Sequence, residues 1–67
     1  MSQIIFKNAH YTACEMTDGS LIVTKNKIRQ GRRLVGENAP IWIQSIKESV
    51  SAGNTKEASL FCKAMWG

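Results

Sequence analysis

The residues with the clearest chemical potential lie in one stretch, Lys25-Asn26-Lys27-Ile28-Arg29-Gln30-Gly31-Arg32-Arg33, which holds five of the chain's nine Lys and Arg residues and no acid. Flexible ammonium and guanidinium groups can reach successive phosphates, and a guanidinium can fork onto phosphate oxygens or a guanine edge. Lys25, Lys27, Arg29, Arg32 and Arg33 are therefore the candidate nucleic-acid-binding residues, with Arg29, Arg32 and Arg33 as readers of bases or of the minor groove. Asn26 and Gln30 can add hydrogen bonds. No aromatic residue is interleaved with the cations, which argues against stacking on single strands and for contact with duplex DNA. The alternative is a solvated loop that keeps a small protein in solution or matches an acidic protein surface.

Other chemistry is sparse. Cys14, Cys62 and His10 are too few for a structural zinc site, which needs about four ligands at close spacing. His10 lies near Cys14 and Glu15, but nothing in the spacing supplies a nucleophile, base and orienting acid in one geometry. There is no phosphate-binding glycine loop and no dinucleotide fingerprint. The expectation is a protein that is not an enzyme and needs no cofactor or metal. Two distant cysteines suggest free thiols, small core hydrophobes in a reducing compartment, rather than a Cys14–Cys62 bridge. No signal peptide is recognised at the start, and no apolar run approaches the roughly 18 residues of a membrane span. A cytoplasmic location is expected.

Sixty-seven residues with 43% hydrophobic and 21% charged composition suit one small folded domain, residues 1–67, with a net charge of +4. Asp18-Gly19 between β-favouring runs predicts a two-residue hairpin loop. That loop would pair Met16 with Leu21, Cys14 with Val23 and Thr12 with Lys25 on one face. Phe6, Tyr11, Ala13 and Ile22 would share the other. With Ile4-Ile5-Phe6 as a further strand, the reading is a three-stranded antiparallel meander at 3–7, 11–16 and 21–26, followed by a basic loop at 27–37.

The last part, 38–66, reads as two helices. Asn38 is the expected cap and Pro40 suits a first turn. Trp42, Ile43, Ile46 and Val50 recur at helical spacing. Gly53 is a natural stop, and Asn54 with Glu57 forms a capping box ahead of the stripe Ala58, Phe61, Cys62 and Met65. The fold class is thus α+β, in the order β-β-β-α-α, with the helices on one face. A helix-turn-helix reading is weakened by the second helix, which offers only Lys56, Glu57, Ser59 and Lys63 to bases.

One helical layer cannot cover both faces of a sheet that is apolar on each. Either the sheet curls around its own core, or a partner or second copy covers the face bearing Phe6, Tyr11 and Ile22. Trp66 either docks the C-terminal helix onto the sheet or joins that partner surface. A short basic chain of this order without a catalytic motif resembles, in general style, the small accessory and regulatory proteins of phages and mobile elements, with no residue assignment attached. The function expected is a nucleic-acid-binding regulator, with a protein-binding inhibitor or adaptor as the alternative and a homodimer compatible with either.

Overall fold

A computed structural model describes residues 2–66. Four strands precede two helices: β1 (Gln3–Lys7), β2 (Tyr11–Glu15), β3 (Leu21–Lys25), β4 (Gln30–Leu34), α1 (Asn38–Ser51) and α2 (Thr55–Trp66). The strands form one antiparallel sheet in the order β1-β2-β3-β4, each paired with its neighbour in sequence. The class is α+β as expected, with one strand more. Half of the expected basic loop at 27–37 is strand β4. Its polar sequence, Gln-Gly-Arg-Arg-Leu, carries no alternating apolar signal, because an exposed edge strand does not need one.

The register of the central hairpin differs from the expected one by a single residue. Ala13 faces Val23 and Cys14 faces Ile22. Three residues, Thr17-Asp18-Gly19, form the loop instead of two. Met16 N–H donates to the Ser20 carbonyl and Gly19 N–H to the Met16 carbonyl. Gly19 sits at φ +87°, where only glycine is unstrained. The Asp18 carboxylate accepts from both the backbone N–H (3.0 Å) and the hydroxyl (2.6 Å) of Ser20. This is the three-residue loop with a left-handed glycine, which the Asp-Gly pair fits equally well.

That one-residue slip re-sorts the faces. Phe6, Ala13, Leu21 and Val23 point to one side with Tyr11, and all five are buried there against Ile43, Ile46, Ala58 and Cys62 of the helices. Phe6 and Tyr11 are therefore core, not an exposed partner surface. The other face carries Ile4, Cys14 and Ile22 in one row and Lys7, Thr12, Thr24 and Gly31 in the next, with no helix over it. A bulge at Ile5 turns it with Phe6 toward the helix side.

The helices close as expected, with small shifts. Helix α1 begins after Glu37 without a side-chain cap, so Asn38 is its first residue and not its cap. Its buried face is Ala39, Ile43, Ile46 and Ser49, while Trp42 is half-buried and Val50 is exposed. Asn54 N–H donates to the Ser49 carbonyl and Gly53 N–H to that of Val50, with Gly53 at φ +76°. That Schellman closure hands the chain to Asn54, which caps α2 as expected. Its Oδ1 accepts from the Glu57 N–H at 3.2 Å, while the Glu57 carboxylate accepts from the Asn54 side-chain Nδ2 at 2.8 Å and not from its backbone N–H, so the link between the helices is only a few residues long. Trp42 and Phe61 meet edge-to-face between the helices, with ring centres 5.9 Å apart.

Ile46 is fully buried between the sheet and α2, whereas Leu60 is 60% exposed. Ile46→Ala is expected to cost about 2–5 kcal/mol in urea denaturation. Leu60→Ala is expected to stay within about 0.5 kcal/mol of the parent.

Candidate nucleic-acid interface

The meander places the β1–β2 and β3–β4 turns at one end of the sheet and the β2–β3 turn at the other. Two asparagines bind the first pair of turns together. Asn8 Oδ1 accepts from the backbone N–H groups of His10 (2.8 Å) and Tyr11 (2.7 Å), and Asn8 Nδ2 donates to Ser59 Oγ on α2. Asn26 Nδ2 donates to the Asn8 carbonyl at 2.9 Å, and Asn26 N–H donates to the His10 carbonyl. Thr12 Oγ1 donates to Asn26 Oδ1. Asn26 thus ties the two turns together.

The five candidate cations separate into three places. Lys27 and Arg29 are exposed in the β3–β4 turn, which Lys25 and Gln30 close. Arg29 sits at φ +55°, a left-handed conformation that costs a residue with a side chain about 1–2 kcal/mol. Lys25 and Arg32 lie on the helix side of the sheet, over the Trp66 ring. The Lys25 ammonium is 5.8 Å and the Arg32 guanidinium 5.0 Å from its centre.

Trp66 is docked, as the first of the two readings held. Its Nε1–H donates to the Val23 carbonyl at 2.9 Å, which seats the end of α2 on the sheet. Arg33 goes elsewhere. It stands on the open face opposite Ile22, toward the β2–β3 turn. There its charge adds to the Ser20 hydrogen bonds that hold the Asp18 pKa below 3.8.

Sequence reasoning missed two cations of the same end: Lys7, at the close of β1, and Lys63, in the last turn of α2. Both are distant in sequence from the basic stretch: Lys7 borders the β1–β2 turn, and Lys63 lies on α2 between Ser59, which bonds Asn8, and Trp66, which carries Lys25 and Arg32. The acids lie away from this end. Asp18 is in the opposite turn, Glu37 precedes α1, and Glu15 pairs with Lys47 at 2.6 Å. Glu48 and Glu57 line a cleft of about 210 Å³ between the helices with Ser45, Ser49, Ala52, Asn54 and Phe61. That is below the range of typical small-molecule sites. Gln44 and Asn54 already hold its two carboxylates by hydrogen bonds.

Cys14 and Cys62 are free thiols, Cys14 half-buried on the open face and Cys62 in the core. Burial pushes the Cys62 thiol up to about 11 from 9.0. Ile22 stays half-buried on the open face, the single member of the expected apolar partner set (Phe6, Tyr11, Ile22, Trp66) on that face. No group of His, Cys, Asp and Glu that could hold a metal ion occurs among the described residues, and none of their helices is long and apolar enough to cross a membrane. No protein-family model, curated protein or solved structure matches the chain.

Trp66→Phe keeps an aromatic ring but removes the N–H and half of the indole, so urea denaturation should register a loss of at least about 1 kcal/mol. The raised Cys62 pKa favours the fold fully below about 9 and loses that contribution as pH rises through about 11. At pH 8 a thiolate-directed reagent is expected to label Cys14 in the native protein and Cys62 only at the rate of unfolding, as peptide mapping of the labelled chain would reveal.

Proposed function

We propose that this chain is a small regulatory protein that acts by binding nucleic acid, duplex DNA in preference, through the end of the sheet that bears the β3–β4 turn. The observation that carries the reading is charge segregation. Lys7, Lys25, Lys27 and Arg29 lie in or beside the two turns, Arg32 shares the Trp66 ring with Lys25, and Lys63 is in the last turn of α2, while no carboxylate lies in those turns or on the strand ends beside them. A pole of one sign attracts a polyanion and steers its approach.

The local chemistry supports a protruding contact. A two-stranded ribbon is narrow enough for the major groove. Lys27 and Arg29 are at the tip of one, and glycine or asparagine would fit the Arg29 backbone at lower cost, so the turn itself does not call for arginine there. Lys25 and Arg32 are held against Trp66, which limits the rotamer freedom each would lose on meeting a phosphate. Trp66 is engaged by those cations, in keeping with backbone and groove contacts over base stacking. Arg33 is set aside from this role by its position near Asp18.

The test is a titration with duplex DNA, duplex RNA and single-stranded DNA at several salt concentrations. Contact with three to five phosphates predicts a slope of log affinity on log salt of roughly −3 to −4.5 on duplex DNA. Lys27→Ala with Arg29→Ala should make that slope shallower by about 2, while Arg33→Ala changes it by much less than 1. Absence of saturable binding at low salt overturns the reading.

A further inference from the structure

The two edges of the sheet are not equivalent. The β1 edge is interrupted by the Ile5 bulge, and α1 packs along β1. A bulge is one of the standard ways a fold discourages strand addition. The β4 edge has no bulge. Gln30–Leu34 runs in unbroken register with β3, contains no proline, and is exposed except at Leu34. The helices lie chiefly over β1, β2 and β3 and reach β4 through Trp66. Beyond the β3 ladder, no hydrogen bond among the described residues engages the β4 backbone. A row of N–H and C=O groups is therefore open along this edge.

Its side chains select what can pair with it. Arg32 points to the helix side and Arg33 to the open side, so the strand carries a cation on each face at successive positions. A second copy of the chain is a poor occupant. An antiparallel twofold pair centred on Arg32, on Arg33 or between them sets cation directly against cation, which destabilises a cross-strand pair. The same geometry suits carboxylates.

We infer that the β4 edge is a docking site for an extended acidic segment of a partner protein, which adds as a fifth strand. Successive Asp or Glu residues would face Arg32 on one side and Arg33 on the other, and a β-branched apolar neighbour would rest on Leu34. Main-chain hydrogen bonds would supply affinity and the two arginines would supply selection. This site shares Arg32 with the basic pole but uses neither Lys27 nor Arg29.

The probe is the capped peptide Thr-Val-Glu-Glu-Val-Thr, titrated into the full chain and followed by amide chemical shifts and hydrogen exchange. The expected result is saturable binding with exchange of the alternate, outward-facing amides of Gln30–Leu34 slowed at least about tenfold. Methylating alternate peptide nitrogens in its two phases should abolish binding for one phase and spare the other, because only one set of N–H groups faces β4. The Lys-Lys counterpart of the peptide should not bind. Equal binding by both methylated phases, shifts confined to Lys27 and Arg29 or to Ile4 and Ile22, or self-association of the free protein through β4 would each overturn the inference. Lys27→Ala with Arg29→Ala should leave peptide binding within about twofold, so failure of the nucleic-acid reading and failure of this one are separately visible.

Discussion

The closure of two short helices over one face of the meander is the interaction on which the rest of the molecule depends. Both helices pack on the same face of the sheet, so that face is covered and the other is left open. Leu21, Val23 and Ala13 are completely buried beneath Ile46, Ala58 and Cys62, and Phe6 and Tyr11 fill the flanks. Each large apolar side chain so buried contributes about 1.5–3 kcal/mol, an appreciable part of what a domain this small can hold. The Schellman link, the Asn54 cap and the Trp66–Val23 hydrogen bond all serve this closure, since each limits how α2 can lie on the sheet.

The charge distribution follows from the same closure. The end of α2 lands on β3 beside β4, so Trp66 becomes a platform between two cations that the strand register places on the helix side. The Asn8 and Asn26 network then joins both neighbouring turns to α2 through Ser59, giving the basic pole a rigid base. Arg32 and Arg33, adjacent in sequence, are sent to opposite faces by the two-residue period of a strand. One joins the Trp66 cluster and the other looks across the open face toward Asp18. Treating the basic stretch as a single flexible patch conceals that division.

Much of the fold was legible in sequence because it rests on local chemistry. The order of elements, the turn at Asp18-Gly19, the Gly53 stop, the Asn54 cap and the buried stripe of α2 each depend on residues within a few positions of one another. β4 escaped notice because Gly31, Arg32 and Arg33 have no strand pattern of their own. Its strand state comes from hydrogen bonds to β3. The hairpin register was misjudged because two- and three-residue loops accept the same Asp-Gly pair, and both registers put apolar pairs on one face. Of the candidate interface, the cations of the basic stretch were legible as a group, while Lys7 and Lys63 were not.

By itself, then, the sequence determined which segments become helix or turn, that the chain is basic, and that its cations cluster between the sheet and the helices in sequence. These are properties of neighbours in the chain, governed by caps, turns and periodicity. Tertiary structure alone decided which face of the sheet is covered, that Trp66 engages Lys25 and Arg32 while Arg33 turns away, and that one edge is bulged and the other open. Each of these depends on pairing register and on contacts between residues far apart in sequence, where a shift of a single position exchanges the two faces and local preference has no means of choosing between them.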